Sequence, residues 1–311
     1  MQKPLILFSL KKMYNLSPII LFVYNRPEHT KQTVESLLQC KLANESVLYI
    51  FSDAPKTDEQ KSKVDQVRKY IHCINGFKEI IIEESSVNKG LANSVIYGVS
   101  KIFESHESVI VLEDDLIFSS KFLEFMNEAL KKYKDDKNIY TISGYSFPIQ
   151  MLKEYRKDVY LSCRSSSWGW GTWKDKWGKA EWDNSFFSEI LNNKKLQNKF
   201  NRAGNDYSPM LIKQLKGVID SWAIRWAYIQ MKNEAHTLFP IKSLVRNIGL
   251  DGSGTHSKKR KRYVVNLEDF NPDLSFSDEL KINEDINKKI RKLNSLSIYR
   301  RFRNFISYGI F

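Results

Sequence analysis

The sequence is poor in cysteine, proline and glycine, with 3 Cys, 8 Pro and 13 Gly among 311 residues. The cysteines Cys40, Cys73 and Cys163 show no C-x-x-C spacing, so they indicate neither a disulfide framework nor a zinc site, and a reducing, cytosolic setting fits them best. Scarce proline and glycine, beside 42% hydrophobic and 13% aromatic residues, exclude collagen-like and disordered chains. We therefore expect a packed globular protein whose function resides in a cleft.

Long hydrophobic runs and several common catalytic motifs are also missing. The apolar run 4–10 is too short to span a bilayer and is followed by no small-residue cleavage site, so it predicts neither a transmembrane helix nor a signal peptide. The sequence has no GxxxxGK[ST] phosphate loop, no GxSxG elbow and no HExxH pair. These absences argue against P-loop NTPases, the usual α/β-hydrolases and zinc hydrolases.

Positive charge is concentrated near the C-terminus. The net charge is +13, of which 258–262 supplies five basic residues and 286–311 supplies seven without an acid. A nucleic-acid enzyme would spread such charge along its binding groove, and no base-reading motif is visible in the body, so nucleic acid is not expected as a partner. Alternating basic and bulky apolar residues instead predict contact of the tail with an anionic membrane surface, with an ordinary solvated helix as the alternative.

Buried-strand patterns alternate with helical spacing through the first half of the chain. Strands are predicted at 17–24, 46–53, 78–83, 108–115 and 139–144, and helices at 27–39, 57–74, 91–105 and 122–133. Such alternation requires right-handed crossovers, so it predicts an α/β fold with a doubly wound, mostly parallel sheet and helices on both faces. Ligands of such folds gather at the carboxyl ends of the strands.

Charged side chains follow three of these strands. Arg26 follows the first and Asp53 the second, and the triplet Glu113, Asp114 and Asp115 ends a later one. Clustered carboxylates at a buried strand end are costly without a cation, so the triplet predicts Mg²⁺ or Mn²⁺ with a diphosphate, or hydrogen bonds to ligand hydroxyls. A solvated acidic turn before a helix is the alternative.

Aromatic residues dominate the second half, where all seven tryptophans lie between Trp168 and Trp226. Trp168 and Trp170 alternate with Gly169 and Gly171. Flat aromatic faces stack on sugar rings, and glycines let a ligand approach the backbone. A tryptophan cluster in the core gives the same pattern.

Two further segments carry candidate chemistry. Asp220 precedes a helical run that begins at Trp222, where it fits either a general base or a helix N-cap. The glycine-rich stretch from Arg246 includes Gly252 and His256, which fit a loop over a diphosphate with the imidazole as a metal or phosphate ligand. A plain surface loop is the alternative for this stretch.

The order of these motifs resembles GT-A fold glycosyltransferases, and more narrowly the inverting group around N-acetylglucosaminyltransferase I and its bacterial relatives. The resemblance runs from about residue 18 to residue 256. The segments that carry it are 25–27, 51–53, 88–93, 113–115, 142–145, 169–171, 220–222 and 246–256.

The resemblance implies roles for individual residues. The donor, a nucleotide sugar and most simply a UDP-sugar, would be bound by Arg26, Asp53, Lys89, Asn93, Glu113, Asp114, Gly169, Gly171, Arg246 and Gly252. Asp115 and His256 would hold Mn²⁺ or Mg²⁺, and Asp220 would be the catalytic base. The aromatic pattern, and not the resemblance, places the acceptor on Trp168, Trp170 and Trp222.

The function expected from this resemblance is metal-dependent, inverting sugar transfer to a glycan or lipid-linked glycan in bacterial surface polysaccharide synthesis. A cytoplasmic enzyme at the inner face of the membrane is expected. The chain would divide into an N-terminal extension (1–17), a nucleotide-sugar-binding half (18–145), an acceptor-binding and catalytic half (146–257) and a basic tail (258–311). A non-catalytic carbohydrate-binding protein on the same fold remains the alternative, whereas a sugar nucleotidyltransferase would carry a GxGxR-type loop that is missing after the first strand.

Overall fold

The computed structural model describes residues 16–251, 261–267 and 276–308. The strands in chain order are β1 (Ile19–Val23), β2 (Val47–Ser52), β3 (Glu79–Glu84), β4 (Ser108–Glu113), β5 (Leu116–Phe118), β6 (Ile139–Ser143), β7 (Val159–Ser162), β8 (Trp170–Trp173), β9 (His236–Pro240) and β10 (Val245–Asn247). The α-helices are α1 (Pro27–Leu38), α2 (Asp58–Ile71), α3 (Leu91–Ile102), α4 (Phe122–Lys132), α5 (Lys174–Trp177), α6 (Asn184–Phe187), α7 (Lys194–Phe200), α8 (Tyr207–Leu215), α9 (Trp222–Lys232), α10 (Glu284–Leu293) and α11 (Ile298–Tyr308).

One large sheet organises these elements. Its strand order is β3-β2-β1-β4-β8-β6-β9-β7, and β5 and β10 form a separate antiparallel pair. The strands from β3 to β4 are parallel to each other, and so are β6 and β9. Strands β8 and β7 run in the opposite direction to their neighbours. The predicted α/β class with a mostly parallel sheet is therefore confirmed.

Alternating side chains of the buried strands feed two cores, one on each face of the sheet. Ile19 and Leu21 of β1 point into a core completed by α1, α2 and α4. Ile20 and Phe22 of the same strand point into the other core, which α3, α8 and α9 complete. This division follows from the two-residue period of a strand, which sends successive side chains to opposite faces.

The tryptophan-rich segment forms much of the second core. Trp170 and Trp222 are 1% and 4% exposed, and their rings stack with centroids 4.8 Å apart. Trp226 packs against Trp177 in the same cluster, with centroids 5.0 Å apart. Both rings are therefore part of the core in this structure, and their predicted contact with an acceptor stays a prediction.

Gly171 serves packing instead of ligand approach. It lies on β8 between β4 and β6, where a Cβ atom would come within 2.8 Å of the carbonyl oxygen of Val109 and 3.1 Å of Cε of Met126. The absence of a side chain lets α4 pack closely on the sheet. Its predicted place in the donor site stays a prediction.

Two α-helices, α10 and α11, lie in the described part of the basic tail. Ile286 and Ile290 of α10 are fully buried in the first core, whereas α11 is largely exposed. No helix in the described part of the chain is both long and apolar enough to cross a membrane.

Candidate functional site

The acid triplet lies at the carboxyl end of β4, in the middle of the large sheet. Glu113 is the last residue of that strand and stands opposite Phe22 of β1. Asp114 and Asp115 form the turn into β5 and are only 4% and 8% exposed. Because parallel strands end at a common edge, the residues after β1 and β2 are brought to the same side of the sheet.

Arg26, directly before α1, pairs with two of these carboxylates. Its Nη2 donates to Oδ1 of Asp114, and its Nη1 donates to Oδ2 of Asp115 at 3.0 Å. An uncompensated buried carboxylate costs several kcal/mol, so this guanidinium offsets much of the cost of placing the turn inside the protein. The sequence predicted Arg26 in this crevice but assigned it to the donor, whereas the structure shows it bound to the acids.

One guanidinium does not balance three carboxyl groups. Burial, and then the carboxylate of Asp115, raise the pKa of Glu113 well above its usual range, and the charge of Arg26 opposes the rise only in part. Burial also raises the pKa of Asp114 despite its pairing with Arg26. The Ser167 side chain, which lies beside Glu113, also opposes the rise of the Glu113 pKa. The cluster therefore favours a further positive charge.

The oxygen atoms around the turn suit a hard divalent cation. Oδ2 of Asp114 and Oδ1 of Asn247 are buried and have no hydrogen-bond partner among the described residues, and Nδ2 of Asn247 donates to Oδ1 of Asp115 at 3.2 Å. Carboxylate and amide oxygens are the ligands that Mg²⁺ and Mn²⁺ prefer. No three His, Cys, Asp or Glu side chains converge as a ready-made metal cage in the ranges that the structure describes. These oxygen ligands fit such an ion, and Asp114, Asp115 and Asn247 are the residues that would hold it.

The end of β10 and the residues that follow it cover the ion pair between Arg26 and the acid turn. Asn247 lies on β10, and the backbone N–H of Ile248 donates to the carbonyl oxygen of Asp115 at 2.8 Å. Gly249 packs so closely that a Cβ atom would lie 2.2 Å from Oδ2 of Asp115 and 2.9 Å from Nη1 of Arg26. Asn247 and Gly249 were not among the predicted site residues. Their position directly after Arg246, at the start of the glycine-rich stretch, was the signal that could have identified them.

Arg246 itself reaches the same region through the pairing of β10 with β5, in which it stands opposite Ile117. Its Nε is buried and has no hydrogen-bond partner among the described residues. Gly252 and His256, the other predicted residues of this stretch, lie outside the described residues.

Asp53 organises a neighbouring loop. Its carboxylate accepts hydrogen bonds from the backbone N–H groups of Ala54, Lys89 and Gly90, each at 2.9 Å, and from Nδ2 of Asn88 at 3.2 Å. Both oxygens are thus occupied by the protein itself. Asp53 lies at the end of β2 as predicted, and in this structure it fixes the loop that leads into α3.

Lys89 and Asn93 lie beside this loop. The Lys89 ammonium group stands 3.7 Å from the ring centroid of Tyr97, a cation–π contact. Asn93 is exposed, and its Nδ2 donates to the carbonyl oxygen of Lys89 at 3.0 Å. Of the residues predicted to bind the donor, Asp53 and Lys89 line one small cleft, together with Phe51 and Tyr97.

Trp168 occupies a different setting from the buried tryptophans. It is half-buried, packs edge-on against Tyr145 with ring centroids 4.6 Å apart, and lines a cavity of about 190 Å³. The next residue, Gly169, has φ of +60°, a left-handed conformation that favours glycine. The other residues that line the cavity are Tyr145, Phe147, Arg164, Ser165, Ser166, Ser167, Tyr207, Met210, Ala223, Ile224, Tyr263 and Asn294. Ser167 lines this cavity and lies beside Glu113, so the cavity adjoins the acid triplet.

Asp220 lies just before α9. Its side chain is 57% exposed, and its Oδ1 accepts a hydrogen bond from Nη2 of Arg225 at 3.2 Å. The N-cap of α9 is Ser221, whose side chain accepts from the backbone N–H of Ile224, so Asp220 does not serve as the cap. Ile224 also lines the cavity beside Trp168, which puts Asp220 close in sequence to that wall.

Comparison with known proteins gives a family. Residues 2–202 match the model described as the GNT-I family. The chain belongs to the GNT-I family of glycosyltransferases. This confirms the resemblance seen in the sequence. The match ends before Asp220 and before the stretch that follows β10.

Solved structures of glycosyltransferases show distant likenesses. The mannosyltransferase PcManGT from Pyrobaculum calidifontis, in complex with GDP-Man and Mn²⁺, is 16% identical, with a TM-score of 0.29 over 43% of this chain and 39% of that one. S. aureus TarS 1–349 is 12% identical, with a TM-score of 0.41 over 74% of this chain and 59% of that one. The GNT-I family chain thus spans 39% and 59% of the two structures. No curated protein matches it.

Proposed function

We propose that this member of the GNT-I family is a metal-dependent, inverting glycosyltransferase that transfers a sugar from a UDP-sugar to a hydroxyl group of a glycan or lipid-linked glycan. Bacterial surface polysaccharide synthesis in the cytoplasm, at the inner face of the membrane, is the setting we propose for it. The observation that carries the proposal is the buried turn of Asp114 and Asp115, paired with Arg26 and covered by Asn247 and Gly249.

The charges at this turn suit a diphosphate leaving group. A bound Mn²⁺ or Mg²⁺ ion would neutralise the negative charge that grows on the diphosphate as the sugar leaves. Asp114, Asp115 and Asn247 would hold this ion, and Arg26, released in part from the carboxylates, would contact the phosphates. Glu113, beside Ser167, would hydrogen-bond a hydroxyl of the donor.

The acceptor side supplies the proton transfer. An acceptor hydroxyl oxygen attacks the anomeric carbon while the bond from that carbon to the diphosphate breaks, so the configuration inverts. Asp220 would take the hydroxyl proton, and Trp168 would offer its half-buried ring to the sugar. The ion pair with Arg225 keeps the Asp220 carboxylate oriented before the acceptor arrives.

Nucleotide binding tests the donor assignment most directly. The melting temperature of the purified protein would be measured with UDP, GDP, CDP and their sugar conjugates, each with Mn²⁺, Mg²⁺ or EDTA. A ligand that binds only the folded state raises this temperature by mass action. We expect a rise with UDP or UDP-sugars that EDTA abolishes.

A folded sample that responds to none of the nucleotides would overturn the proposal. That outcome favours a carbohydrate-binding protein on the same fold, which needs no metal-dependent nucleotide site. A response to GDP or CDP alone would keep the enzyme and correct the donor.

A further inference from the structure

The last described helix, α11, exposes most of its apolar side chains, whereas Asn304 and Tyr308 face the protein. Ile298 is 85% exposed, Tyr299 72%, Phe302 62% and Ile306 67%. At 3.6 residues per turn these four positions fall within one arc of about 100°. A helix that packs on a soluble protein normally buries such an arc. The orientation of α11 is therefore the reverse of the usual one.

Polar groups make the contacts that hold α11 on the protein. Asn304, the one buried residue of the helix, accepts a hydrogen bond at its Oδ1 from Nζ of Lys213 at 2.7 Å. The carbonyl oxygen of Tyr308 accepts from Nζ of Lys216 at 2.5 Å, and Nζ of Lys213 stands 4.8 Å from the Tyr308 ring centroid. These contacts fix the helix on α8 with its apolar arc directed away from the body.

The charges of α11 identify the kind of surface that would cover this arc. Arg301 and Arg303 flank the arc on its two sides, Arg300 follows them on the polar face, and the helix carries no acid. Apolar residues flanked by arginines let a helix lie in the headgroup region, with its rings in the acyl boundary and its guanidinium groups at the phosphates. A second copy of this helix would instead bring six arginines together without a counter-charge.

We propose that α11 is an interfacial helix that binds the protein to an anionic lipid bilayer. The arc formed by Ile298, Tyr299, Phe302 and Ile306 enters the membrane interface, and the arginines contact lipid phosphates. The proposal goes beyond the proposed catalytic function and does not depend on it, since neither donor nor metal takes part in the contact.

Vesicle co-sedimentation of the full chain tests this proposal. We expect the protein to sediment with phosphatidylcholine vesicles that contain phosphatidylglycerol, and weakly with phosphatidylcholine alone. The doubly substituted variant Phe302→Ser, Ile306→Ser should bind at least about tenfold more weakly, because it lacks two apolar side chains that would be buried in the membrane interface. Arg301→Gln and Arg303→Gln should each weaken binding about fivefold, and added salt should act in the same direction.

Matched measurements distinguish membrane binding through α11 from a general effect of exposed apolar residues. Val87→Ser removes an apolar side chain that is 63% exposed far from α11 in sequence, and it should leave vesicle binding unchanged. Each variant should keep the wild-type melting temperature, since the substituted side chains are exposed. Vesicle binding requires no nucleotide, so a failure here is distinct from a failure of the proposed transferase activity.

Two results would overturn the proposal. Undiminished vesicle binding by the doubly substituted variant would place the contact in another part of the chain. The second result would come from sedimentation velocity without lipid. If the wild-type protein were a dimer and the double substitution made it a monomer, the arc would be an interface between copies of the chain.

Discussion

Removal of the Arg26 guanidinium should show how much it stabilises the buried carboxylates of the acid turn. Arg26→Met leaves Asp114 and Asp115 without their cation, and the side chains of these acids are only 5% and 11% exposed. Loss of one partner from a buried ion pair costs about 3–5 kcal/mol, and the 20% exposure of Arg26 favours the lower end, about 3 kcal/mol. With an unfolding entropy of about 2.1 cal/mol/K per residue, this loss of unfolding free energy lowers the melting temperature by about 5 °C.

A divalent cation should restore much of this loss. In EDTA the Arg26→Met protein melts below the wild type, and Mn²⁺ or Mg²⁺ should raise its melting temperature more than that of the wild type, because the cation no longer competes with the guanidinium. Arg164→Met is the matched control. Arg164 forms a bidentate pair with Asp206, with both contacts at 2.9 Å and side-chain exposures of 11% and 13%. The melting temperature of the Arg164→Met protein in EDTA should fall by a similar amount. Metal should raise it only as much as it raises that of the wild type, because the acid triplet is unchanged and Asp206 is a single carboxylate.

Differential scanning fluorimetry of the three proteins in EDTA, Mg²⁺ and Mn²⁺ provides the measurement. An unchanged melting temperature for Arg26→Met in EDTA would show that the pair does not stabilise the turn. Equal responses to metal by the Arg26→Met and Arg164→Met proteins would show that Arg26 and the cation do not compete for the acid triplet. Either result would refute the reasoning from the buried carboxylates.

The parallel half of the fold could be predicted from the sequence because its signals are local. The runs that became β1, β2 and β4 are continuous and apolar, as expected for strands buried on both faces. Strand β8 was not predicted. Its four residues, Trp170–Trp173, show no alternation of apolar and polar side chains. They pair with β4 and β6, which are distant in sequence. No local pattern in the sequence therefore indicates that β8 lies between β4 and β6 in the sheet.

The location of the candidate site was predictable, but the partners of its residues were not. Parallel strands end at one edge, which is why Arg26 and Asp115 could be placed in one crevice before the structure was known. Their pairing with each other depends on the exact reach of a side chain across the turn. Asp53 shows the same limit, since a carboxylate suited to a ligand N–H is equally suited to the backbone N–H groups of Lys89 and Gly90.

Three further substitutions or modifications have expected outcomes. Gly249→Ala should lower the free energy of unfolding, measured in denaturant melts, by about 1–3 kcal/mol and weaken metal-dependent nucleotide binding, because the added Cβ would lie 2.2 Å from Oδ2 of Asp115. Gly178→Ala is the control: at a helical φ of −63°, it should stay within about 0.5 kcal/mol of the wild type. Cys40 is buried, and burial raises the pKa of its thiol to about 12, so a maleimide should modify the exposed Cys73 in the folded protein and reach Cys40 only after unfolding, as peptide mass mapping would show. Asp220→Asn should keep nucleotide binding and lower turnover by about 10²- to 10⁴-fold, because an amide of the same size cannot accept the acceptor proton. The Asp220 side chain is 57% exposed, so the replacement should leave the melting temperature unchanged and any loss of turnover can be assigned to chemistry. Turnover near the wild-type value, measured as nucleotide release with a glycan acceptor, would refute the assignment of Asp220 as the base.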